Sequence, residues 1–321
     1  MNGNLLKLSV LVFLLIALIP LSSPAAGKDL KIALLLWRGE TMAEKGFKDG
    51  LEAFGYTTEF VTFNADQDVT KLGNFLSSIA SQSDEFDYVY TFGTTISRRA
   101  QLVLNNKVPQ LFNIVTDPVG AGIIEKATAE RGNIGGASDA VPLSRLFKIT
   151  IDFFGFQKIG LFFNPREKNS LLIRKEIQAL AKIHRFEVVD FRSPPAAQIL
   201  KENLQKLIDN PKMVDAVYLP ADSFLVSNAA LIGRQLRSAK IVSIGSVRNF
   251  IEAGVLMGFA VDYYELGKAV AAIVDRNQRG EELQQIPVAR GDFSLMINQT
   301  TSELLGIKKT EFESMTIEII P

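Results

Sequence analysis

Two stretches of this chain repeat each other at a nearly constant offset, and this repetition limits the available folds more than any other feature. Lys31-Ile32-Ala33-Leu34-Leu35-Leu36-Trp37 is matched in pattern by Lys158-Ile159-Gly160-Leu161-Phe162-Phe163-Asn164, 127 positions later. Asp87-Tyr88-Val89-Tyr90 is matched by Asp215-Ala216-Val217-Tyr218, 128 positions later. Thr94 lies seven residues past the first of these aspartates, and Asp222 seven past the second. Two matches at almost one offset predict two similar lobes.

Each repeated run is apolar throughout, ends in a polar loop and leads into residues at helical spacing. Lys158 to Phe163 is stopped by Asn164-Pro165, because proline cannot donate to a sheet. From Asn169 onward Ile173, Ile177 and Leu180 recur on one helix face. The same alternation gives strands at 31–36, 58–63, 86–92, 110–115, 187–191, 216–219, 241–244, 255–261 and 293–297, with helices between most of them. Continuous apolar strands alternating with amphipathic helices predict parallel sheets covered on both faces, an α/β fold. The 321 residues suffice for two such domains of about 100–150 residues each.

Composition removes several function classes. Formal net charge is zero, without the basic excess that marks a nucleic-acid surface. Arg98-Arg99, Arg234 and Arg237 read as solvated helix faces, so no nucleic-acid partner is expected. The absence of cysteine rules out disulfides, thiol catalysis and cysteine-based zinc sites. The one histidine, His184, falls near a helix end, where a Ser-His-Asp triad would need coincidental geometry. Gly132 to Gly136 lacks the G-x-G-x-x-G spacing and does not occupy the first βα turn, so no dinucleotide cofactor is expected. No Walker motif or histidine-containing metal cluster is present, and no metal or other cofactor is expected.

The N-terminus reads as an export signal. Lys7 precedes the apolar run Leu8 to Ile19, and Ser23 and Ala25 sit at the two positions where a cleavage site needs small residues. A run of twelve residues falls short of the roughly 20 that span a bilayer. Residues 1–26 are therefore expected to be a signal peptide and the protein to be exported to the periplasm or another extracytoplasmic space. The alternative is an uncleaved anchor.

In parallel α/β sheets ligands bind beyond the carboxyl ends of the strands. The polar residues there are Trp37 and Arg38, Thr94 and Thr95, Thr116 and Asp117, Asn169 and Ser170, Asp222 and Ser223, and Ser246. The set can hydrogen-bond and charge-pair a ligand, but it contains no nucleophile–base pair, so no enzyme is expected. Thr94 and Thr95, and likewise Asn169 and Ser170, open helices and can hold a carboxylate or simply cap. Asp222 is placed either to pair with an ammonium group or to serve as a bare helix cap. Asp117, before Pro118, is a ligand contact or a turn former. Trp37 either stacks on a ligand ring or packs between lobes.

Further stretches carry a family resemblance. They are Gly46-Phe47-Lys48-Asp49-Gly50-Leu51 with Phe54-Gly55-Tyr56, Asn64-Ala65 with Asp68, Thr116-Asp117-Pro118-Val119, and Gly132-Asn133-Ile134-Gly135-Gly136. Asn164-Pro165 with Asn169-Ser170, Pro220 with Asp222, Asp262-Tyr263-Tyr264-Glu265-Leu266-Gly267, and Leu305-Gly306-Ile307 continue the series. In this order and spacing the chain resembles the substrate-binding proteins of ABC transporters, in the family that includes tryptophan/tyrosine transport binding proteins. That resemblance implies a type I periplasmic-binding-protein fold: two Rossmann-like lobes with parallel sheets, joined by three crossings. The first lobe would take 28–138 and return for 255–279; the second would take 139–254 and 280–321. It implies a monomer that closes on a small amino-acid-like ligand, plausibly aromatic, and is read by a membrane permease. The same lobes could instead present ligand state to a membrane receptor. Thr94, Asp117, Asn169, Ser170 and Asp222 fall on family motif positions near the cleft. Arg166-Glu167-Lys168 stands where the family more often has a small residue after the proline, and Ala221 where threonine is common; both bear on ligand identity.

Overall fold

A computed structural model describes residues 29–125, 132–307 and 317–321; the signal-peptide reading of residues 1–26 lies outside the described residues. The chain begins with β1 (Asp29–Leu36), α1 (Met42–Ala53), β2 (Thr57–Asn64), α2 (Val69–Ser81), β3 (Tyr88–Phe92), α3 (Thr94–Leu104), β4 (Gln110–Asn113) and β5 (Ile134–Ser138). It continues with α4 (Leu143–Phe154), β6 (Lys158–Phe163), α5 (Lys168–His184), β7 (Glu187–Arg192), α6 (Ala197–Asp209), β8 (Ala216–Leu219), α7 (Ser223–Ser227), α8 (Ala229–Ser238), β9 (Val242–Gly245), α9 (Arg248–Glu252) and β10 (Met257–Val261). Then come α10 (Tyr263–Gln278), β11 (Ala289–Arg290), β12 (Phe293–Asn298), α11 (Gln299–Leu305) and β13 (Ile317–Ile320).

These strands form two sheets with one design. The first runs β11-β5-β4-β3-β1-β2 and the second β13-β12-β10-β9-β8-β6-β7. Taken from its β2 or β7 end, each places its first five strands in the same order. Pairing is parallel except between β10 and β12, where Met257 faces Ile297 in antiparallel register. The repeat seen in the sequence has a physical cause. Asp87 Oδ2 accepts the backbone N–H of Lys31 at 2.8 Å, and Asp215 Oδ2 accepts that of Lys158 at 2.7 Å. The same aspartate ties the start of the same strand pair in each lobe.

Alternation along the central strands divides the core. Ile32, Leu34 and Leu36 of β1 pack with α1 and α10, while Ala33 and Leu35 pack with α2 and α3. In β6, Ile159 and Leu161 meet α4 and α5, and Phe162 meets α6 and α8. Each fully buried aliphatic side chain contributes about 1.5–3 kcal/mol. Neither sheet face is left to solvent, which is why the strands read as continuous apolar runs.

The expected crossings are present, but two lie later in the chain than the boundaries of 255–279 and 280–321 proposed from sequence. β10 pairs with β9 and belongs to the second sheet, so residues 255–261 leave the first lobe. Gly258 permits this, because a Cβ there would stand 1.7 Å from Gly245 O of β9. The chain returns to the first lobe at Asp262, which caps α10 by accepting the N–H groups of Tyr264 and Glu265. α10 packs on α1, and β11 pairs with β5, so residues 280–290 stay with the first lobe. The crossings are therefore residues 139–142, Asp262 and 291–292. Val141, on the first, and Phe293, just after the third, touch both cores.

Candidate functional site

The carboxyl ends of β1, β3, β4, β5, β6, β8 and β10 converge on one cavity between the lobes. The cavity volume is about 30 Å³. The lobes touch directly beside it, where Gln67 Nε2 donates to Ser227 Oγ at 3.2 Å. This is a closed arrangement.

Five of the seven residues expected from sequence line the cavity: Trp37, Thr94, Thr95, Asn169 and Asp222. Trp37 follows β1 directly and is buried, with Nε1 unpaired. Thr94 and Thr95 form the first turn of α3. Gly93 precedes them at φ +81° and gives the helix no side-chain cap, so its first N–H groups face the cavity with the positive end of the helix dipole. Asn169 holds the wall by donating Nδ2 to Ala221 O at 2.5 Å.

Two expected residues sit elsewhere. Asp117 turns back to accept Gly120 N–H at 2.7 Å and lines a separate groove; its neighbour Thr116 reaches the cavity. The turn-forming reading describes its geometry, since an aspartate followed by proline satisfies its own backbone first. Ser170 is fully buried behind the wall and accepts Asn164 N–H at 2.9 Å. Neither residue lines the cavity.

The structure adds residues that were not in the expected set. Arg38, noted only for its place at a strand end, puts its guanidinium 5.5 Å from the centroid of Phe92. Phe92 in turn meets Tyr263 edge-on, with centroids 6.5 Å apart. Glu167 caps across the wall, its Oε2 accepting Ser223 N–H at 3.1 Å. Asp139, on the first crossing, is buried; its Oδ2 accepts the Tyr263 O–H at 3.5 Å and its Oδ1 has no partner. Ile114 holds a left-handed φ of +55°, rare for a β-branched residue. Asn113 Oδ1 accepts its N–H, while Asn113 Nδ2 donates to Tyr90 OH and Tyr90 donates to the buried Glu44. That chain of bonds offsets backbone strain of about 1–3 kcal/mol.

The electrostatics are acidic. Burial, and then the neighbouring Glu167, push the Asp222 carboxyl up to about 8 against the lowering effect of Leu225 N–H. Burial also raises Glu167, opposed by Ser223 N–H and Arg38. Asp139 is raised by burial, opposed first by the neighbouring Thr116 hydroxyl and least by Arg38. Three carboxyl groups thus share the cavity with one guanidinium, a setting that favours a ligand carrying positive charge. Among the described residues no group of three or more metal-ligating side chains occurs, and no helix is long and apolar enough to cross a membrane.

Comparison with known proteins agrees with this architecture. A tyrosine-binding protein of Clostridioides difficile is 26% identical over 283 residues, covering 85% of this chain and 79% of the relative. A crystal structure of a conserved domain protein from Vibrio cholerae superposes with a TM-score of 0.80 at 23% identity, covering 90% of this chain and 99% of the other. An ABC domain from Streptococcus pneumoniae in complex with L-Trp superposes with a TM-score of 0.81 at 21% identity, covering 91% and 100%. The fold is that of the type I periplasmic binding proteins. The model of the ABC transporter substrate binding protein family matches residues 37–315, and the chain belongs to that family.

Proposed function

We propose that this protein is the extracytoplasmic solute-binding component of an ABC importer, and that it captures a small amino acid with an aromatic side chain by closure of its two lobes. The observation that carries this reading is the polarity of the cavity on which the strand ends of both lobes converge. Asp222 and Glu167 offer carboxyl oxygens on the second lobe, and Asp222 Oδ2 has no partner. The uncapped start of α3 and the Arg38 guanidinium offer donors on the first. An α-amino acid presents an ammonium for the acceptors and a carboxylate for the donors, and Trp37, Phe92 and Tyr263 supply an aromatic wall for its side chain. The tyrosine-binding and L-Trp-bound relatives support the same ligand class.

In this mechanism the open protein admits the ligand, and each lobe brings half of its partners. Closure at residues 139–142, Asp262 and 291–292 excludes water, which strengthens the ionic contacts. Ligand shifts the equilibrium because only the closed state makes both sets of contacts. The closed surface is what a membrane permease recognises. The N-terminal leader directs the chain out of the cytoplasm, where it acts as a monomer without a cofactor.

A thermal-shift screen over the amino acids, with purines and short peptides as controls, tests the reading, because a ligand of the native state raises Tm. The expected result is a rise with one or more aromatic amino acids, confirmed by calorimetry. A rise with purines or peptides and none with amino acids would exclude it.

A further inference from the structure

Five buried side-chain polar atoms among the described residues lack a hydrogen-bond partner: Trp37 Nε1, Thr58 Oγ1, Asp139 Oδ1, Tyr218 OH and Asp222 Oδ2. Three of them, from Trp37, Asp139 and Asp222, belong to residues lining the same cavity between the lobes. Burying a polar atom unpaired is unfavourable, and native structures rarely do it without a reason. Three such atoms around one space outline the groups that fill it.

Asp222 Oδ2 is matched by a ligand ammonium in the reading above, and Trp37 Nε1 is a donor open to a ligand acceptor. Asp139 Oδ1 is matched by neither. Asp139 is 7% exposed, and its other oxygen is turned to Tyr263, the first residue after the second crossing. The guanidinium of Arg38 attracts both Asp139 and Glu167, while Glu167 repels Asp222. Asp139 is therefore an acidic centre apart from the Glu167–Asp222 pair in the same cavity, and a ligand whose only donor is its ammonium satisfies one of the two.

We propose that Asp139 is a specificity-determining residue: its free Oδ1 accepts a hydrogen bond from the ligand side chain. The site then takes amino acids whose side chain carries an O–H or N–H donor, such as a phenol or an indole, in preference to phenylalanine. The proposal rests on the amino-acid reading above. A pocket that hydrogen-bonds a side-chain donor rejects the analogue lacking it, because the buried acceptor is then left unpaired. Asp139 also lies on a crossing between lobes, so the bond would form where the hinge turns.

Calorimetric titration of the purified protein with tyrosine, tryptophan and phenylalanine tests this, on wild type and on Asp139→Ala. Tyrosine or tryptophan is expected to bind wild type about 10- to 100-fold more tightly than phenylalanine. The gap should shrink by about tenfold in Asp139→Ala. If the alanine variant does not fold, Asp139→Asn keeps the shape and removes the charge, and the gap should narrow in the same direction. Equal binding of phenylalanine and tyrosine by wild type overturns the proposal, as does an unaltered gap in a folded variant. Binding confined to aliphatic amino acids overturns it while leaving amino-acid capture standing; binding of no amino acid overturns both.

Discussion

Glu167 and Asp222 cap the same short helix from two different loops. Glu167 Oε2 accepts the N–H of Ser223 at 3.1 Å, and Asp222 Oδ1 accepts that of Leu225 at 3.0 Å. Both carboxyl groups are buried, and one oxygen of Asp222 remains free on the cavity side. Two like charges at one buried helix end cannot both be ionised without cost, so the ligand-free site holds a proton there. A ligand ammonium would take its place.

The first prediction separates the charge of Asp222 from its capping role. Asparagine caps helices as well as aspartate does, whereas alanine loses about 1 kcal/mol at such a position. Asp222→Asn should therefore keep helix α7 and lose the charge-assisted bond, roughly 1.5–3 kcal/mol. Affinity for the amino-acid ligand should fall more than about tenfold by calorimetry, with a melting profile still cooperative. Unchanged affinity would remove Asp222 from the ligand's first contacts.

A second prediction concerns pH. The Asp222 carboxyl is raised from the ordinary aspartate range to about 8, chiefly by burial and next by Glu167. Between about pH 4 and that value, the native state holds a proton the unfolded chain has released. Its contribution to stability is therefore full at low pH and is lost as pH rises through the folded value. Ligand-free wild type should lose Tm relative to Asp222→Asn as pH increases across this window, because the variant has no group to ionise. Affinity for a ligand with a charged amine should move oppositely, rising toward about pH 8 as the carboxylate forms. Parallel melting curves for the two proteins would contradict the assignment.

The lobes were legible in the sequence because Asp87 and Asp215 do the same structural work at the same offset, and because β1 and β6 are buried on both faces. Asp222 was legible because it follows β8 directly. Asp139 follows a strand just as directly, but β5 reads Ile134-Gly135-Gly136-Ala137-Ser138, without the β-branched or aromatic run that marks a strand. With β5 unseen, the residue at its end was unseen too. Glu167 sits in a loop of charged residues that reads as solvated, and its burial arises only when α5 and α7 meet across the wall. The strand at 255–261 was visible, but its sheet was not: an apolar run carries no mark of which lobe it joins. Contact with Gly245 decides that, through the missing side chain of Gly258.

A third prediction tests the close approach of α1 and α10, which fixes the helix that follows the second crossing. A Cβ on Gly46 would stand 2.0 Å from the carbonyl oxygen of Tyr264. Alanine is the better helix former by about 1 kcal/mol, so propensity alone predicts stabilisation. The contact opposes it, because a backbone carbonyl in a packed helix can yield only by moving α10. Such overpacking costs about 1–3 kcal/mol and should prevail. Gly46→Ala is expected to lower Tm; a higher Tm would show that the two helices separate easily.

The last prediction uses a site remote from the ligand. Arg185 ends α5 with φ +60° and ψ +45°, left-handed backbone that an L side chain resists by roughly 1–2 kcal/mol. The residue is exposed, and its N–H still reaches Ala181 O, a bond that glycine would keep. Glycine relieves the steric penalty but gives the unfolded chain more freedom, which offsets about 0.4–1 kcal/mol. The balance favours Arg185→Gly by about 0.5–1 kcal/mol, a small rise in Tm by calorimetric melting. α5 has 17 residues, roughly 25 Å at 1.5 Å per residue, so its far end is remote from the cavity that Asn169 lines. Ligand affinity should therefore be unaltered while Tm rises. A fall in Tm would mean that the Arg185 side chain makes a stabilising contact outweighing its backbone strain.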